Sequence, residues 1–286
     1  LAHGDGARGG LFSLPQMSVT RCAYRVVETL HGILSQIARV SAEHARMLWQ
    51  TARDVVEMFR IIVPSAHGAH IATLPRIAML FYCDCRYIAH HAMVVAHLYR
   101  AALPAPLNRC ASMVDLAPLV RSLGVHQFVA QIATQRQELL RMMLRLGDLS
   151  QLTEDAIGEN AENAVSGILF HLSKLATLWS DVLPVAPTRD GPSVLGRALG
   201  SLLGVVATDM VKRTAALEQR DGEGGVNNSH ELKHLLRLLV DGAVQIFKRA
   251  ERGKEGGGGG SGPGLGMSAR DLERFVPGWA ALVLYV

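Results

Sequence analysis

The stretch Tyr24-Arg-Val-Val-Glu-Thr-Leu-His-Gly-Ile-Leu-Ser-Gln-Ile-Ala-Arg-Val40 decides the fold class. Val26, Leu30, Ile33, Ile37 and Val40 recur at spacings of three and four. That period lays one apolar stripe along a helix and would scatter the same residues over both faces of a strand. The pattern continues past Ser41 through Ala45, Leu48, Ala52, Val55, Val56 and Phe59 as far as Pro64, whose missing N–H and bulky ring predict a stop. Ser41 either caps a second helix or lies inside one long one; the sequence leaves both open. Forty or more helical residues would reach about 60 Å at 1.5 Å per residue.

Outward from this stretch the reading stays helical. Ser65 to Thr73 is expected to be a short connection, and Pro75 suits the first turn of a helix running to about Ala102. Its buried stripe would be Ile77, Leu80, Phe81, Ile88, Met93, Val94 and Leu98, and Leu103-Pro-Ala-Pro106 would end it. Another helical stretch is predicted from Asp115 to Leu146, with Gly124 the point where it would break and Gly147 placed as a C-terminal stop. Others run from Glu159 to Leu183, from Pro192 to Gln219 and from Ser229 to Glu251. No segment alternates polar and apolar residues persistently enough to read as a strand. The expected class is all-α, with short loops folding consecutive helices antiparallel.

Composition agrees. The 286 residues are 49% hydrophobic but only 5% aromatic, so Leu, Ala, Val and Ile carry the apolar share, which suits helix-on-helix packing. The net charge of +4 is spread along the chain, without the clustered basic stripe and interleaved aromatics of a nucleic-acid surface. Four cysteines, Cys22, Cys83, Cys85 and Cys110, are too few and too irregular for a disulfide framework, and reduced thiols are expected. No leader pattern opens the chain, and no run of 18 residues is free of charge, so no membrane-spanning helix is expected.

The domain reading is a loose segment 1–17, a helical middle domain 18–150, a helical continuation 151–252, a Gly-rich linker 253–266, and the start of a further helical region, 267–286. Leu1 in place of an initiator Met, and the closing apolar run Trp279 to Val286, give the expectation of a fragment.

Chemistry-bearing residues gather in Cys83-Asp84-Cys85 followed by His90, His91 and His97. Zinc needs thiolates or neutral imidazoles brought together tetrahedrally, but helical residues two apart diverge by about 200°, so Cys83 and Cys85 cannot chelate one ion on an intact helix. Cys83, His90 and His97 share a face and leave the ligand set incomplete. A cysteine nucleophile would need a strained turn and oxyanion donors that nothing here supplies. Gly253-Lys254 precedes its glycines, the reverse of a phosphate-binding loop. Gly196, Gly200 and Gly204 stand four apart on one face and predict close approach of a neighbouring backbone within the chain. His67, His70 and His126 stand alone. Of the tryptophans, Trp49 and Trp179 read as core, with Trp279 left as a surface anchor candidate. No catalytic, cofactor-binding or metal-ligating residue is therefore assigned. The alternative held against this is a metal-dependent helical enzyme using Cys85, His90, His91 and His97, and a third reading is a membrane-surface protein.

Several segments, taken in order, resemble one family. They are Thr51-Ala-Arg-Asp-Val-Val-Glu-Met-Phe59, Val63-Pro64, Leu74-Pro75, Cys85-Arg-Tyr-Ile-Ala-His-His91, Ala96-His97 and Tyr99-Arg100. The series continues with Val114-Asp-Leu116, Phe128-Val-Ala-Gln131, Leu178-Trp-Ser-Asp-Val-Leu-Pro-Val185, Thr214-Ala-Ala-Leu-Glu218 and Val276-Pro-Gly-Trp279. Their collinear order resembles the middle-to-C-terminal part of the zeste-white-ten family of kinetochore and vesicle-tethering proteins, over roughly residues 45–279. The resemblance implies an elongated rod of antiparallel helices of the multisubunit-tether type, with no catalytic centre. It implies a scaffold subunit of the Rod–Zwilch–Zeste-white-ten complex, serving the spindle checkpoint and dynein recruitment, and of an endoplasmic-reticulum tether for Golgi-derived vesicles. The implied partners are the other subunits of both complexes, with an indirect link to dynein and SNARE proteins, no direct nucleic acid and at most peripheral membrane association. The implied locations are cytoplasm, mitotic kinetochore and the periphery of the endoplasmic reticulum. The family's N-terminal region and the end of its C-terminal region are not matched.

Overall fold

The structure, a computed structural model, describes residues 2–3, 17–147, 155–184, 192–221, 229–248, 267 and 269–286. Its elements are β1 (Ala2–His3), β2 (Ser18–Val19), α1 (Arg21–Ser35), α2 (Ala42–Thr73), α3 (Pro75–Tyr99), α4 (Leu107–Cys110), α5 (Leu116–Leu144), α6 (Asp155–Ser180), α7 (Val194–Asp221), α8 (Ser229–Lys248), α9 (Ala269–Phe275) and α10 (Trp279–Leu284). The all-α expectation holds; the one exception among the described residues is the two-residue antiparallel pairing of β1 with β2, Ala2 opposite Val19 and His3 opposite Ser18. The chain forms two compact units, residues 1–131 and 132–286.

In the first unit α1 packs on α2 and α3, and α2 packs along α3. Thr20 caps α1 by accepting from the Ala23 N–H at 3.2 Å. The buried face of α1 is Ala23, Val27, Leu30 and Leu34, continued by Ile37 in a short 3-10 turn. Val26 and Ile33 flank this stripe half-buried, and Val40 is exposed. Ser41 resolves the open question: its backbone is extended and its Oγ accepts from the His44 N–H, so it caps a separate helix.

Two expectations fail in the next stretch. Pro64 does not stop α2, and Ser65 to Thr73 is helix rather than connection. Pro64 forfeits one hydrogen bond to the Arg60 carbonyl, but Val63 and Ile71 on the same helix still pack toward the core, so the helix runs on. The break comes instead at Leu74 (φ −101°, ψ 110°), where the ring of Pro75 forces the preceding residue out of the helical region. One residue thus joins two long helices. The α3 stripe also departs from expectation: Met93 and Leu98 are exposed, while every residue from Ala78 to Cys85 is buried. Helical periodicity assumes one buried face, and this stretch has neighbours all round.

The Gly124 break does not occur; α5 is continuous, and its end is marked by Gly147 at φ +67° as predicted. In the second unit α6 packs on α7 and α8, around Ile168, Leu172, Trp179, Leu199, Leu202 and Leu239. α7 is long and apolar enough to cross a bilayer, yet most of that stretch is buried inside the unit, the environment of a core helix. The segment 253–266 lies outside the described residues.

Candidate functional site

The buried stretch of α3 is where the candidate chemistry sits. Asp84, 3% exposed, points at the start of α1, where Thr20 donates to it twice: the backbone N–H to Oδ1 at 2.7 Å and the hydroxyl to Oδ2 at 2.6 Å. Burial without a cation raises its pKa to about 6, although both Thr20 bonds pull the other way. Asp84 and Thr20 together form a two-tier cap, because the Thr20 hydroxyl that donates to Asp84 also accepts from Ala23.

Cys83 and Cys85 flank this carboxylate and are both fully buried. Burial, then the charge of Asp84, pushes the Cys83 thiol up to about 12 and raises Cys85 as well. A thiol held so firmly protonated has almost no nucleophilic thiolate at neutral pH. Cys85 has a packing role that explains its burial: α5 crosses over it at Gly124, where an added Cβ would lie 2.6 Å from the Cys85 Cβ. Beside this crossing Tyr82 and Phe128 meet with ring centroids 4.8 Å apart.

One turn further on, the histidines separate. His91 faces α1, with its Nδ1 3.3 Å from Nε2 of His31. The other nitrogen of His31, Nδ1, lies 3.1 Å from the Tyr99 hydroxyl, which in turn donates to the His31 carbonyl at 3.3 Å. One proton arrangement satisfies all three contacts: His91 Nδ1–H donates to His31 Nε2, and His31 Nδ1–H donates to Tyr99. Both rings are then neutral. Burial, followed by the neighbouring His31 and His90, lowers the pKa of His91 to about 4, and burial lowers that of His31. The Tyr87 ring stands edge-on to His91 at 4.6 Å and shields it further.

The residues singled out for metal chemistry therefore do not converge. Cys85 lies under Gly124, His91 pairs with His31, and His97 is exposed. His90 is half-buried, and burial and Arg121 lower its pKa. Among the described residues no three of His, Cys, Asp and Glu gather as ligands. His67, His70 and His126 are exposed. Sequence reasoning missed Thr20, His31 and Tyr99 as partners, because each is brought to its place by tertiary packing across 60 or more residues.

Two further contacts tie sequence segments together. Arg53 of α2 forks onto both carboxylate oxygens of Asp115 and donates to the Ser112 carbonyl at 2.6 Å. This joins two of the segments that carried the family resemblance. In the second unit, the glycine face of α7 receives a neighbour as predicted. A Cβ at Gly204 would lie 2.6 Å from Pro277 Cδ, and one at Gly200 would lie 3.3 Å from Val276 Cγ2. Gly278 makes the turn at φ +77° that seats Trp279, and all three tryptophans, Trp49, Trp179 and Trp279, are core residues.

Residues 12–141 match the family described as centromere/kinetochore protein zw10, C-terminal. The chain is 30% identical to a centromere/kinetochore protein zw10 homolog of Rattus norvegicus, over 82% of this chain and 29% of the relative. It is 29% identical to the Mus musculus homolog over the same shares, and 24% identical to that of Arabidopsis thaliana over 60% of this chain and 23% of the relative. The chain spans less than a third of the length of these curated relatives.

Proposed function

We propose that the chain, which is similar to the zw10 centromere/kinetochore proteins, works as a non-catalytic helical scaffold subunit of a kinetochore assembly. The collinear match over 82% of the chain carries this reading. The chemistry of the buried cluster supports it from another side. Protonated thiols, a capping carboxylate and neutral paired histidines are all occupied in holding helices together. The output of such a chain is geometric: it holds attached subunits at set positions. The finer reading follows the family resemblance. The partners are the Rod and Zwilch subunits, the downstream purpose is dynein recruitment and checkpoint signalling in mitosis, and a second site of action is a vesicle tether at the endoplasmic reticulum, peripheral to the membrane.

The test is imaging of the fluorescently tagged protein in dividing cells, combined with purification of its partners from mitotic and interphase extracts. Enrichment at unattached kinetochores and recovery of Rod-type and Zwilch-type subunits from mitotic extract are expected. A protein that stays diffuse through mitosis and recovers neither subunit sinks the kinetochore reading. Recovery of tether subunits from interphase alone would leave only the trafficking half.

A further inference from the structure

The second half of α2 packs inward through Val63 and Ile71 and leaves its opposite face exposed. From Ile61 to His70 no residue is buried, whereas the first half buries Ala45, Trp49, Ala52, Val56 and Phe59 in regular succession. The sequence from Ile61 to Pro75 contains no Asp, Glu, Lys or Arg. Its outward surface is apolar at one end, where Met58, Ile61 and Ile62 are 55%, 62% and 51% exposed. At 100° per residue these three share a face with Ser65, Gly68, Ala69 and Ala72. A Cβ added at Gly68 would meet nothing within 4 Å, so this end of the face is open as well. The half-helix also contains Pro64 and Gly68, two of the least helix-favouring residues, and so has little intrinsic reason to persist alone.

We propose that this face pairs with the same face of a second copy of the chain, antiparallel about a two-fold axis at Ser65. The size pattern is self-complementary about that residue. Ile61 then meets Ala69, Ile62 meets Gly68, and Met58 meets Ala72, so each large side chain enters a gap left by a small one. A two-fold interface makes every such contact twice, which is how one helix supplies both ridge and groove. The charges agree. None of the seven face residues, Met58, Ile61, Ile62, Ser65, Gly68, Ala69 and Ala72, is charged, so the antiparallel arrangement strands no charge between the two helices. A bilayer is a poorer occupant, because the face offers neither the Lys and Arg that an anionic surface attracts nor the Trp and Tyr of an interfacial anchor. The contact is about 21 Å long, four turns of helix, which places it in the small, weak class of interfaces. The pairing is independent of the kinetochore reading.

The test is sedimentation equilibrium of the whole chain from about 5 to about 300 μM. The weight-average mass should rise from one chain toward two across this range. Ile61→Glu should weaken dimerisation at least about tenfold, with the helical circular dichroism unchanged. Ile61→Ala leaves a gap and Ala69→Ile a collision, so each alone should weaken it. The double variant Ile61→Ala/Ala69→Ile exchanges knob and hole and should restore it to within about threefold. In a background lacking the exposed Cys22 and Cys110, Ser65→Cys should yield a covalent dimer on mild oxidation, since position 65 faces itself. A chain that stays monomeric throughout overturns the proposal. So does a dimer that ignores Ile61→Glu, or a double variant no better than either single one. Binding to neutral vesicles that Ile61→Glu abolishes, without any dimer, would assign the face to lipid and overturn it too.

Discussion

Gly204 of α7 touches the ring of Pro277, and there is no room between them for a methyl group. A Cβ on residue 204 would stand 2.6 Å from Pro277 Cδ and 3.2 Å from its nitrogen, which belongs to the backbone and cannot swing aside. Gly204→Val is therefore expected to cost about 1–3 kcal/mol of stability by overpacking. Hydrogen exchange should show the loss locally, with protection falling first in Ala269–Phe275 and Trp279–Leu284. Unchanged protection there would mean that the segment is not held by this contact.

The same reasoning applies to Gly124 in the first unit, with a sharper control. Gly124→Ala places its Cβ against the Cβ of Cys85 and should lower the denaturation midpoint, a loss of about 1–3 kcal/mol. Cys85→Ala should not relieve that penalty, because the atom in the way is the one alanine keeps. Relief by Cys85→Ala would show that the sulfur, not the helix crossing, sets the fit.

Asp84 gives the fold an unusual response to acid. Its folded pKa, about 6, lies above the ordinary value of 3.8, so folding favours the protonated form. The stabilising contribution is complete below pH 3.8 and is lost as pH rises through 6. The difference in unfolding free energy between wild type and Asp84→Asn should therefore shift by roughly 2–3 kcal/mol against wild type between pH 3.8 and pH 6.5, and be flat above that. Denaturant titrations at half-unit steps would measure it. A flat difference would mean that Thr20 donates strongly enough to offset burial.

The histidine pair works in the opposite direction over the same window. His91 is neutral when folded, with its pKa lowered to about 4, and His31 is lowered too, so their contribution is complete above pH 6.5 and is lost as pH falls toward 4. His91→Gln should remove most of this acid loss, leaving the Asp84 slope visible. Asp84→Asn should leave the histidine slope visible. If both variants keep the wild-type profile, neither cluster governs the response to acid.

Much of the fold was legible because helices announce themselves by period. The helix start at Pro75, the stop at Gly147 and the glycine face of α7 are local chemistry, readable from a few adjacent residues, whereas Ser41 left two readings open until the backbone geometry decided between them. Pro64 misled because its penalty is a local estimate, while Val63 and Ile71 on either side packed against the rest of the unit. Met93 and Leu98 misled for a related reason: the buried part of α3 is set by how many elements surround Ala78 to Cys85, which no single-helix period encodes. The site was half visible. Cys83, Asp84, Cys85 and His91 stood out as a cluster, but the partners that define their roles, Thr20, His31, Tyr99 and Gly124, lie far away in sequence and belong to residue types common on any surface.

Leu74 alone links α2 to α3, and this leaves the chain almost nowhere to vary in length between residues 42 and 99. A single residue inserted early in α3 would turn everything after it by about 100°, carrying Asp84 away from Thr20, Cys85 from Gly124 and His91 from His31 together. Natural variants of this region should accordingly differ by substitution and keep its residue count. A protease should likewise find no slack tether to cut at the tip of this hairpin.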